Sequence, residues 1–241
     1  MGRLGVLVQG ELSRLKKYGL FQATFVVMLF WLGAAWFMEE EVLRVFVPVI
    51  FLMEATMMTI LLAGATLFYE KKEHTVNSII VTPATYDEYL YSKTIVNIIN
   101  SMISILVISL GLYFLKGITF NYLLLVPAMI LVTIVHTLIG IKMAYHSLDF
   151  TSMLVNYFIY VVIFLLPTLL ASFGLIRGLA ADLLLVLPPD ASNVILGAAF
   201  WDVELWRLMM AYGYLAVLAI VIYKFLVKPG LNEYVMRETG V

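Results

Sequence analysis

An all-α membrane protein is the fold class this sequence predicts, and three observations carry that prediction. Of its 241 residues, 63% are hydrophobic and 13% charged, and the mean hydropathy is +1.01, so a water-soluble fold could not cover its surface with polar groups. Six runs are apolar over the roughly 17 to 25 residues that a helix needs to cross a hydrocarbon core. What lies between them is too thin for a soluble catalytic module, so residues 1–241 are expected to form one transmembrane domain.

The first element is residues 1–18. Leu4, Leu7, Val8, Leu12, Leu15 and Tyr18 recur at helical spacing, with Arg3, Ser13, Arg14 and Lys17 on other faces. That pattern predicts a helix lying along the membrane interface with its bases near lipid phosphates, although Gly2, Gly5 and Gly10 disfavour it. Basic residues before an apolar run also begin secretory signals. Here the run is longer than a signal core and acidic Glu39–Glu41 replace a small-residue cleavage site, so the segment is expected to be retained.

Spans are predicted at Leu20–Met38, Phe46–Phe68, Thr94–Leu115, Tyr122–Tyr145, Met153–Phe173 and Leu205–Val227. The Glu39–Arg44 stretch reads as a short solvated turn. Between the last two spans, the 174–204 region contains an apolar run, Gly174 to Leu187, stopped by Pro188-Pro189-Asp190 before Val194–Trp201 resumes. A run of roughly 10 to 14 residues suits a re-entrant or an interfacial segment. In the second case Trp201 and Trp206 would be aromatic anchors.

Basic residues set the expected orientation. Arg3, Arg14, Lys16, Lys17, Lys71, Lys72, Lys93, Lys142, Lys224, Lys228 and Arg237 fall on one side; Arg44, Lys116, Arg177 and Arg207 fall on the other. Eleven against four predicts a multi-pass protein of the cell membrane with both termini in the cytoplasm. The net charge of -1 comes with no basic stripe, which excludes nucleic acid as a partner. With no cysteine in the chain, disulfides and thiolate metal sites are excluded.

The longest polar interruption is the 70–93 loop. Val76, Ile79 and Ile80 would share one face of a short helix that Pro83 ends. Thr82 or Thr85 could then cap a second short helix with Asp87 and Glu88 in its first turn. This loop resembles the first cytoplasmic loop of type-2 ABC transporter permeases. The resemblance is carried by Glu70, Glu73, Thr75, Ile79, Ile80, Val81, Thr82, Pro83, Glu88, Tyr89, Leu90 and Lys93. His74 and Ser92 depart from it, standing where the family usually, or often, has glycine.

The resemblance implies a half-transporter with a cytoplasmic coupling helix seated in a cleft of a separate ATPase subunit. It further implies a homodimer or heterodimer of permeases, and a 174–204 region that dips back from the outside to help close the pathway. Glu70, Glu73, Thr75, Val76, Ile79, Ile80, Thr82, Pro83, Glu88 and Lys93 are the candidate coupling residues. A solvated loop has no use for the apolar face at Val76, Ile79, Ile80 and Val81. The chain has no glycine-rich phosphate loop followed by lysine and serine or threonine. No cofactor is therefore expected in it; ATP and Mg would be bound by the partner subunit.

Polar residues within spans are candidate pathway linings, because lipid exposure is costly for them. They are Glu54, Asn97, Asn100, Ser104, His136, Asn156 and Tyr160, with Met58 as an adaptable apolar lining. Helix-to-helix hydrogen bonding explains the asparagines and small residues equally well. Glu54 should be neutral, or face a wet cavity or a cation.

Two other readings remain open: a non-transporting immunity or assembly protein of the same fold, and an intramembrane protease. Glu39-Glu40 followed by Arg44 echoes a motif of prenyl-protein proteases, but His74, His136 and His146 lack the neighbours that chemistry requires.

Overall fold

The computed structural model describes residues 2–75 and 82–239. Six helices among them are long and apolar enough to cross a membrane. Helix α1 (Arg3–Lys17) precedes α2 (Leu20–Phe37), α3 (Glu40–Lys72), α4 (Tyr86–Lys116), α5 (Tyr122–His146) and α6 (Phe150–Ser172). A bent pair follows, α7 (Leu179–Val186) and α8 (Pro188–Gly197), and α9 (Leu205–Arg237) closes the chain.

Helix α5 is the axis of the bundle, with α3, α4, α6, α8 and α9 packed around it. Its Leu125, Met129, Val132, Val135 and Ile141 are fully buried. It crosses α3 closely at Gly140, where an added Cβ would lie 2.8 Å from the Ile60 carbonyl oxygen. Only a residue without a side chain lets the two backbones meet there. By contrast α2 leans chiefly on α4 and α1 and leaves Phe25, Val26, Phe30, Trp36 and Phe37 exposed, a face suited to lipid.

Three of the spans contain a π-helical turn. Those at Val161–Leu165 and Ile222–Val227 lie just before Pro167 and Pro229, where the missing N–H and the ring displace the hydrogen-bond ladder. The third, Glu54–Met58, has no such proline following it. There the hydroxyls of Thr56 and Thr59 donate to the Leu52 and Glu54 carbonyls.

Several boundaries differ from the sequence reading. Glu39–Arg44 is no solvated turn, since α3 starts at Glu40. Glu40 and Glu41 sit in its first turn, favoured by the helix dipole, and Arg44 pairs with Glu40 at 2.7 Å one turn on. After Pro83 no separate short helix forms either. Thr85 caps α4 directly through a reciprocal box with Glu88, and the helix then runs unbroken through the third span. The first short helix expected in the loop falls on residues 76–81, outside the described residues.

At the end of the bundle away from α1, α7 and α8 bend by 104°. Helix α8 enters between α3, α5 and α9, burying Ala191, Ile195 and Leu196 in the core that also holds Phe51. Helix α7 stays outside, with Leu179, Leu183 and Val186 exposed. The pair therefore has the shape of a re-entrant hairpin rather than a helix lying flat.

Candidate functional site

At the α1 end the two edges of the 76–81 loop meet a cluster of charges. Helix α1 forms despite its glycines because it packs on α4, with Leu15 buried against Leu62 and Val96. That docking brings Glu11 and Arg14, one turn apart, over the last turn of the α3 span and the first turns of α4. Arg14 Nη1 donates to Glu11 at 2.6 Å and to Glu70 at 2.8 Å, and its Nε donates to Glu73 at 3.4 Å. Lys93 reaches the same two buried carboxylates, Glu70 at 2.9 Å and Glu11 at 3.2 Å. Tyr89 adds a hydrogen bond from its hydroxyl to Glu70 at 2.6 Å.

Glu11, Glu70 and Lys93 are 5%, 3% and 2% exposed, so their charges are tolerable only because each faces an opposite one. Burial alone would raise the Glu11 carboxyl, and Lys93, a hydrogen bond with Glu70 and Arg14 together hold it below its ordinary value. At the rim Glu73 accepts from Lys17 and from the Tyr18 hydroxyl, and those bonds depress its pKa to about 2.

The same framework fixes both edges of the loop. On one side the Glu70 carbonyl accepts from the Thr75 amide and hydroxyl. His74 takes a left-handed φ of 56°, a conformation that costs a side-chain-bearing residue about 1–2 kcal/mol. This is the position where the resembled family usually has glycine. On the other side Arg3 donates to the Pro83 carbonyl at 2.9 Å. Asp87 then ties the start of α4 to α9 through Lys228, at 2.8 Å, and Tyr223.

The structure thus separates the candidate coupling residues. Glu70 and Lys93 are buried under α1, Glu73, Thr75 and Glu88 are half-buried around them, and Thr82 and Pro83 are exposed. Val76, Ile79 and Ile80 lie outside the described residues. Glu11, Arg14 and Tyr18 belong to the cluster but not to the sequence pattern. The bases of α1 were expected at lipid phosphates, yet Arg14 turns inward because three carboxylates, Glu11, Glu70 and Glu73, reach it there.

Midway through the bundle a polar band joins α3, α4, α5 and α6. Asn97 donates to Thr137 at 3.0 Å, Ser101 meets Thr133 at 2.9 Å, and Ser104 donates to Glu54 at 3.2 Å. Glu54 begins the π-helical turn, with Trp31 beside its carboxylate, and its buried Oε1 meets no donor in good hydrogen-bond geometry among the described residues. Tyr160 meets His136 Nε2 at 3.1 Å, while His136 Nδ1 bonds the Val132 carbonyl at 2.9 Å. Asn156 donates to Ser147. Asn100 lines an apolar lateral groove between α2 and α4, and Met58 packs beside Leu62 beneath α1. Glu39 and Glu40 begin α3 at the end opposite His74 and His146, so those groups form no common site.

No solved structure matches the chain. Two curated relatives, each called a fluoroquinolones export permease protein, come from Mycobacterium tuberculosis strains CDC 1551 / Oshkosh and ATCC 25618 / H37Rv. Each is 26% identical over 244 residues, covering 100% of both chains. They are named as transport proteins, not enzymes. The sequence model of the fluoroquinolones export permease protein family matches residues 2–239. On that match, which spans all six of the long apolar helices, the chain belongs to the fluoroquinolones export permease protein family.

Proposed function

We propose that this permease is the membrane subunit of an ATP-driven exporter, coupled through the 70–93 loop to a separate nucleotide-binding subunit. The observation that carries the reading is the mounting of that loop. Its two edges are tied to α1, α3, α4 and α9 by the buried Glu11–Arg14–Glu70–Lys93 cluster, by Arg3 on Pro83 and by Asp87 on Lys228. A loop held at both ends by charged pairs passes a push on its apolar tip to four helices as a rigid body.

The cluster faces the cytoplasm of the cell in this reading, with both termini, as the eleven-to-four distribution of basic residues requires. Two permeases would face one another across the pathway. The cargo is an aromatic amphiphile of the fluoroquinolone kind, following the names of the relatives. Co-purification with the nucleotide-binding subunit tests the reading. Replacing Ile79 and Ile80 by glutamate should release that subunit and abolish ATP-dependent efflux with the fold intact. Unchanged efflux would refute the coupling role.

A further inference from the structure

A polar cavity of about 410 Å³ opens at the end of the bundle opposite α1, between α6, α8 and α9. Asp190, on the first turn of α8, lines it. The residue is 5% exposed, and among the described residues its side chain makes no hydrogen bond or direct ion pair, although the charge of Arg207 acts on it. Arg207 lines the cavity too, but its guanidinium is placed on Asp182 of α7, at 3.4 Å. Asn193, three residues along α8 and therefore on the same face, supplies a second idle acceptor. The Ser172 hydroxyl spends its hydrogen on the Thr168 carbonyl, so it must accept from the Asn193 amide nitrogen, which lies 3.1 Å away. That fixes the amide orientation and leaves Asn193 Oδ1 buried without a donor.

Two buried acceptors beside one cavity, one of them a carboxylate, call for a ligand that brings both positive charge and N–H groups. Asp202 and Glu204 add two more carboxylates to the wall, and Trp201 adds an aromatic face. Among the described residues no group of His, Cys, Asp or Glu is arranged to hold a metal ion, so the chemistry favours an organic cation. We propose that this cavity binds the ammonium group of an aromatic amine, with Asp190 as counter-ion and Asn193 Oδ1 as second acceptor. It is a substrate site at the mouth where cargo leaves. The assignment rests on the export reading above for its direction, but binding itself needs no ATPase.

The test uses the permease alone in lipid nanodiscs. Its probes are norfloxacin, whose protonated piperazine carries two N–H donors, and nalidixic acid, a quinolone without a basic amine. Equilibrium dialysis should show Asp190→Asn weakening norfloxacin binding by about tenfold or more, the usual worth of a charge-assisted hydrogen bond, with nalidixic acid unaffected. Asn193→Asp, which adds a carboxylate where an acceptor already sits, should tighten norfloxacin binding, and it serves where Asp190→Asn does not fold. Equal effects of these changes on the two compounds, no effect on either, or no norfloxacin binding by the unaltered protein would overturn the site. Asp190-dependent norfloxacin binding, together with ATP-driven efflux that survives replacement of Ile79 and Ile80 by glutamate, would instead fault the coupling reading and leave the site standing.

Discussion

The two ends of the bundle treat buried charge in opposite ways. At the α1 end Glu11, Glu70 and Lys93 are as buried as Asp190 at the other, and there each carboxylate meets a cation and the lysine meets two carboxylates. Asp190 has no such direct pair among the described residues: Arg207 acts on it from across the cavity but is turned to Asp182. Desolvating an ion costs several kcal/mol, which a well-placed opposite charge can offset. A closed set of pairs therefore reads as a mount, built to hold helices together. An open one reads as a place for something else to bind.

Breaking the closed set should have the largest effect. Lys93→Met leaves Glu11 and Glu70 facing each other with Arg14 as their remaining cation, and the loss of stability should be about 3–5 kcal/mol. Thermal unfolding of the purified protein would report it, together with release of α1, which limited proteolysis near Tyr18 would detect. A variant as stable as the parent would mean that the cluster holds nothing together.

Gly140→Ala separates packing from charge. Its new Cβ would press on the Ile60 backbone, 2.8 Å away, and overpacking of this kind costs about 1–3 kcal/mol. Changing pH or salt should leave that loss untouched, whereas such changes should alter the deficit of Lys93→Met.

Smaller still, and opposite in sign, is the effect on stability of Asp190→Asn. Removing an unpaired buried charge should leave the melting temperature unchanged or raise it, a gain on the order of 1 kcal/mol. Loss of stability comparable to that of Lys93→Met would show that Asp190 is a structural partner after all, and would erase the contrast between the two ends.

The sequence made some of this legible and hid the rest for physical reasons. Spans are readable because lipid demands a continuous apolar run, and the helix lengths follow from it. The Thr85 cap with Glu88 is readable because its partners are three residues apart. The bent α7–α8 pair left only its length and its prolines as clues, since whether it enters the bundle depends on what Ile195 and Leu196 touch. The ion cluster was invisible as a unit. Arg14 joins Glu70 across 56 residues, and Lys93 joins Glu11 across 82, so local spacing showed only charges lying off the apolar face of α1. Asp190 was read as part of the stop to an apolar run, and nothing nearby in the chain reveals that its side chain makes no direct pair.

The smallest effect tests the rim of the closed end. Glu73 titrates at about 2, well under a glutamate's usual 4.5, because Lys17 and Tyr18 donate to its ionised form. A group whose folded pKa is depressed stabilises the fold fully above its unfolded pKa and loses that contribution as pH falls through the folded one. The share owed to Glu73 should therefore be constant above about pH 4.5 and fade between there and about 2. Lys17 is exposed, so solvent screens the pair and the shift amounts to at most a few degrees. The difference in melting temperature between the parent and Glu73→Gln, measured over that window, isolates it from the other carboxylates. A difference that persisted unchanged to the acid limit would mean that the Glu73 charge does not help to hold α1, leaving the inner pairs of Arg14 and Lys93 to do so alone.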